Sequence, residues 1–107
     1  MIRPVRLQLS RRRGFNLQRL SLETNGLPAV NVARPSKWGN SVYAGMWKNY
    51  TAAQAVRDFH KWITGDLSVR TYGVPPPIDG LRGKNLACWC KPGEPCHATV
   101  LLELANA

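Results

Sequence analysis

Three cysteines and one of two histidines fall between residues 88 and 97: Cys88, Cys90, Cys96 and His97. They belong to residues 84–106, the stretch around which the chain is organised. Leu86-Ala87-Cys88-Trp89-Cys90 alternates apolar and bulky positions, so in a strand Leu86, Cys88 and Cys90 share one face. Lys91-Pro92-Gly93-Glu94-Pro95 reads as a turn, since proline fixes φ and glycine permits the reversal. Pro95 suits the first position of a helix carrying Val100, Leu101, Leu102, Leu104 and Ala105. Cys96 and His97 then occupy its first turn, where free N–H groups and the helix dipole favour a thiolate. Strand end, tight turn and helix start gather three sulfurs and an imidazole into one small volume.

Two chemistries fit such a set. Cys88, Cys90, Cys96 and His97 form a legitimate ligand set for zinc or an iron–sulfur cluster. The spacing C-x-C-x5-C-H is not a standard finger or ribbon, and adjacent residues such as Cys96 and His97 seldom both ligate one ion. Alternatively, Cys96 is an activated nucleophile or redox thiol, with His97 as its base or polar anchor; these two are the catalytic candidates. A plainer account makes the thiols small core hydrophobes and His97 a local cap. A Cys88–Cys90 disulfide is strained, because those residues stand roughly 6.5–7 Å apart at Cα along one strand.

A second motif follows an alternating segment, Ala29-Val30-Asn31-Val32-Ala33. Arg34-Pro35-Ser36-Lys37-Trp38-Gly39-Asn40 combines two cations, a hydroxyl, an aromatic, a glycine and an amide. Arg34, Ser36, Lys37 and Asn40, with backbone N–H groups near Gly39, can cradle phosphate, and Trp38 offers a stacking surface. The structural alternative is an ordered turn with Trp38 packed on the core. The motif resembles neither a P-loop nor a dinucleotide fingerprint.

The elements that must position these residues can be read in order. Val5-Arg6-Leu7-Gln8-Leu9 alternates and predicts a half-buried first strand. Residues 21–26 are polar and read as a loop with an Asn25-Gly26 turn. Residues 29–33 predict a second strand. Residues 42–50 are aromatic-rich and ambiguous. Thr51 caps a helix running from 52 to about 64, whose Ala52, Ala55, Val56, Phe59, Trp62 and Ile63 recur at helical spacing. Residues 66–72 give no clear pattern. Pro75-Pro76-Pro77 is a stiff connector, and residues 78–81 form one helical turn before the cysteine strand. Strand, strand, helix, strand, helix is an α/β order: a small single-domain sheet with flanking helices. The Cys/His site sits at a strand's carboxyl end and a helix N-terminus, where ligands of α/β sheets bind.

Composition narrows the partners. One domain is expected of 107 residues. No apolar run is long enough for a transmembrane helix, and the N-terminus lacks the apolar core of a signal peptide. An odd number of cysteines without a signal suits a reducing cytoplasm. Lysine and arginine number 15 against six acids, a net +9. Arg3, Arg6, Arg11, Arg12, Arg13 and Arg19 precede the first acidic residue, which favours an anionic partner such as a nucleotide or nucleic acid.

The chain resembles the family called domain of unknown function 4326, found in phages and bacteria. The matching segments are residues 5–11 with Gly14, Val-Ala-Arg-Pro-Ser-Lys-Trp-Gly-Asn at 32–40, Leu-Arg-Gly-Lys-Asn-Leu-Ala-Cys-Trp-Cys-Lys-Pro-Gly-Glu-Pro-Cys-His-Ala at 81–98, and residues 101–106. Members usually continue Gly-Asn with proline and an aromatic, where this chain has Ser41 and Val42. They often carry an acid where it has Thr99. A weaker resemblance, to domain of unknown function 488, rests on Cys88 and Cys96-His97, with Ala98 replacing an arginine. The resemblance implies a shared strand-turn-helix site and brings no reaction.

Together these features point to a cytoplasmic protein that binds a nucleotide or nucleic acid, with or without acting on it, with Cys96 and His97 at the chemical centre, supported by Cys88 and Cys90. The competing class is a non-enzymatic module: a metal-stabilised nucleic-acid binder, or a phage accessory protein that captures a host factor or signalling nucleotide. A concave pocket joining the two motifs favours the first. A convex basic face over a closed cysteine site favours the second.

Overall fold

A computed structural model of the chain describes residues 2–34, 36–39, 48–65 and 74–107. Among these residues the sheet has three parallel strands, β1 (Arg6–Gln8), β2 (Ala29–Asn31) and β3 (Asn85–Cys88), in the order β1-β3-β2. Leu86 lies opposite Arg6 on one side and Val30 on the other. Three α-helices accompany the strands among the described residues: α1 (Leu17–Asn25), α2 (Ala52–Ile63) and α3 (His97–Ala105). The α/β class and the site's place at a strand end and helix start are as expected from the sequence.

The last strand is more central than its alternation suggests. All four residues of β3 are buried, because a strand between two parallel neighbours is covered on both faces. It ends at Cys88, so Trp89 and Cys90 lie beyond it. Its beginning is held by a polar network around Asn85, which has no exposed surface. Asn85 and Asn25 exchange amide hydrogen bonds of 2.8 and 2.9 Å, Asn85 donates to Ser21 Oγ at 2.7 Å, and the Val5 N–H donates to Asn85 Oδ1 at 2.9 Å.

That network explains why residues 21–26 form the end of α1 and not the expected loop. Ser21 is the buried residue of α1, and its hydroxyl donates to the Leu27 carbonyl at 2.6 Å. Polar residues here face inward, so apolar periodicity is weak. Asn16 caps the helix by accepting from the Arg19 N–H at 3.1 Å, and Gly26 closes it in the left-handed region.

The second helix follows its pattern. Ala55, Phe59 and Trp62 are buried, and Thr51 and Gln54 form a capping box. The final helix begins later than expected: Cys96 is its N-cap, in extended conformation, which leaves Pro95 outside. α3 packs on β3 and on α2, burying Ala98, Val100, Leu101 and Ala105. A 3-10 turn over Asp79–Leu81 follows the proline connector and sets Leu81 in the core. The expectations for residues 66–72, for Asn40 and for most of 42–50 lie outside the described residues. No described helix is long and apolar enough to cross a membrane.

Candidate functional site

The turn after β3 is built as its sequence demands. Pro92 and Gly93 occupy its centre, Gly93 at φ 85°, and the Glu94 N–H closes it onto the Lys91 carbonyl at 3.1 Å. Proline then positive-φ glycine is the pattern of a type II turn. The reversal returns the chain so that Cys96 Sγ stands 2.7 Å from Cys88 Sγ. The sulfurs of Cys88, Cys90 and Cys96 all lie within 4.8 Å of one another, close enough to hold a metal ion. Cys88 and Cys96 are buried and Cys90 is half-buried; none is in a disulfide.

His97 is set apart from this cluster. Its Nε2 lies 2.8 Å from the Val32 carbonyl; a carbonyl only accepts, so Nε2 carries the hydrogen. The ring meets Phe59 edge-on at 5.1 Å. His97 therefore ties the end of β2 to α2 and α3, and among the described residues the group of ligand atoms that can share one ion consists of the three sulfurs. The difficulty of two adjacent ligands, Cys96 and His97, disappears.

Arg6 is the residue that sequence reasoning missed. From β1 it donates to Cys88 Sγ at 3.4 Å, to the Cys90 carbonyl at 2.7 Å and to the Lys91 carbonyl at 3.0 Å. It looked like the solvent-facing half of an alternating strand, and only the parallel β1–β3 pairing brings it to the thiols. Burial works to lower its pKa, but the hydrogen bond to Cys88 and the nearby thiols raise it overall.

The acidic thiol is Cys88, whereas the helix-start argument pointed to Cys96. The Cys96 S–H directed at it, aided by the Cys90 amide and Arg6, outweighs burial and holds Cys88 down at about 5. Cys96 is pushed up because its S–H donates to the Cys88 sulfur and because it is buried; the Ala98 amide opposes this only in part. Burial also raises Cys90. Burial lowers His97 although its bond to Val32 acts the other way, so the imidazole is held neutral.

A cavity of about 280 Å³ opens over these groups, lined by Cys88, Cys90, Cys96, His97, Arg34 and, from α2, Ala55 and its neighbours. Both sequence motifs reach it, the second, among its described residues, through Arg34. Lys37 turns onto the Trp38 ring, 4.5 Å from its centroid, and Trp38 Nε1 donates to the Pro77 carbonyl at 3.1 Å while the indole packs against the core. The Ser36 and Gly39 amides close the loop on itself, donating to the carbonyls of Ala33 and Ser36 at 2.9 Å, so they form no phosphate cradle. Ser36 Oγ is buried without a hydrogen-bond partner among the described residues and does not border the cavity. Gly39 fits against Arg34 so tightly that a Cβ there would come within 2.8 Å of the Arg34 Cα.

Fold and site together define a small α/β protein with a thiol-lined cavity at the carboxyl ends of parallel strands. The model of the family described as domain of unknown function, DUF4326, matches residues 15–107. The chain belongs to that family. No curated protein and no solved structure matches it.

Proposed function

We propose that the cavity binds a nucleotide, with its phosphate at Arg34, over a centre formed by Cys88, Cys90 and Cys96 that holds zinc. The observation that carries this is the single cavity bordered by all three sulfurs, His97 and Arg34. Its volume, about 280 Å³, lies just below the roughly 300–1,000 Å³ of small-molecule sites, which suits a mononucleotide better than a dinucleotide. A concave site joining the two motifs also supports a ligand pocket over a closed, convex module.

The donors fit zinc. Thiolates are its preferred ligands; sulfurs about 2.3 Å from a tetrahedral ion stand about 3.8 Å apart, so the three sulfurs, all within 4.8 Å of one another, hold the ion once the 2.7 Å Cys88–Cys96 pair opens by about 1 Å. Cys88 and Cys96 keep only 1% and 2% of their surface exposed, which suits ligands better than attacking thiols. Three protein ligands and a neighbouring cavity match the open pattern of catalytic zinc, which supplies a polarising or water-activating centre. Arg6 offsets the negative charge of the thiolates and fixes Cys88, while His97 holds α3 and Cys96 in place. In this account the protein works in a reducing cytoplasm.

Elemental analysis of untagged protein and calorimetric titration with nucleoside mono-, di- and triphosphates test the proposal. The expected result is one zinc per chain and a nucleotide affinity that Arg34→Ala lowers about ten- to a hundredfold. Nucleotide binding by zinc-free protein, with Cys88 alkylating rapidly, replaces the metal centre with a reactive thiol. Absence of binding to every nucleotide overturns the pocket's assignment.

A further inference from the structure

Among the described residues, Trp89 is the large aromatic that the fold leaves in water. It follows the end of β3, keeps 46% of its surface exposed and borders the cavity. The Arg11 guanidinium sits 4.8 Å from its ring centroid, although the two are far apart in sequence. Arg11, Arg12, Arg13 and Lys91 are all exposed, and among the described residues none of them pairs with a carboxylate; Glu94, the acid of the adjoining turn, is exposed as well. Because β1 and β3 are parallel, the loop after β1 and the turn after β3 emerge at the same end of the sheet. The chain's densest run of cations and its exposed indole thus share one surface.

We propose that Trp89 with Arg11, Arg12, Arg13 and Lys91 forms a platform for single-stranded nucleic acid. A flat aromatic beside a line of cations matches a strand's alternation of base and phosphate. Duplex DNA hides its base faces in the stack and offers the indole nothing to lie against. One unpaired base stacks on Trp89, Arg11 reinforces the ring from its own side, and the neighbouring phosphates follow the arginine loop. The proposal goes beyond the pocket and does not depend on what the pocket holds.

Fluorescence anisotropy of a short labelled oligonucleotide tests it, using DNA and RNA single strands and the matching duplex with the full chain. The parent should prefer single strands, with steep salt dependence. Trp89→Ala should weaken single-strand binding about tenfold or more, leave duplex binding nearly unchanged, and be largely rescued by Trp89→Phe. Arg12→Ala with Arg13→Ala should flatten the salt slope for either nucleic acid. Equal binding by parent and Trp89→Ala, or equal affinity for strand and duplex, overturns the platform. A thermal melt shows whether Trp89→Ala folds; if it does not, Trp89→Phe decides by whether strand addition still quenches indole emission as it does in the parent. Loss of that quenching supports the platform, and undiminished quenching overturns it. Mononucleotide titration of Arg34→Ala reads the pocket separately, so either proposal can fail alone.

Discussion

His97 shows how a residue can look chemical and act by position. Its imidazole is buried, neutral and hydrogen-bonded to a main-chain carbonyl. Above its ordinary value of 6.5 both folded and unfolded chains hold it neutral. As the pH falls below that value the unfolded chain takes up a proton first, while the folded chain resists, so stability declines until the folded pKa is passed. Urea unfolding above and below pH 6.5 should show this loss in the parent, and His97→Gln should reduce it while keeping a donor for Val32. An identical acid response in both proteins would exclude His97 as its source. The thiols are present in both proteins, so their own titration cancels in the comparison apart from the Coulombic contribution that Cys88 makes to His97.

At the scale of elements, the site depends on where β3 begins as much as on where it ends. The Asn85 network joins β3, the end of α1 and the residue before β1. Asn85→Ala strands several buried or half-buried polar groups, each worth about 1–3 kcal/mol when left unpaired. Chemical denaturation should show a loss of that size or more. A loss below about 0.5 kcal/mol would mean that water replaces the amide without cost. This network was not legible in the sequence, where Ser21, Thr24, Asn25 and Gly26 look like turn residues and inward polar contacts leave no hydrophobic period. α2 was legible because Phe59 and Trp62 repeat at helical spacing behind a Thr51 cap. The cysteine turn was legible too, since Pro92-Gly93 dictates its geometry. Arg6 and the exclusion of Lys37 and Trp38 from the cavity depend on contacts between distant segments, which local pattern cannot reveal.

Across the whole molecule, chain order and spatial order disagree. The strand at the centre of the sheet comes last: β1 and β2 flank β3 and are not paired with each other. Arg6 meets Cys88 across 82 residues, and His97 meets Val32 across 65. Among the described residues, β1 and β2 find their hydrogen-bonded strand neighbour only in residues 85–88, which leave the ribosome after both. Such long-range pairing closes slowly. A fragment ending at Gly83 should show no cooperative thermal transition by circular dichroism; a sharp transition there would mean that the outer strands find another arrangement on their own. The thiols arrive with the strand that completes the sheet, so assembly of their site marks the end of folding, and any reagent or metal that reaches them earlier meets an unfinished protein.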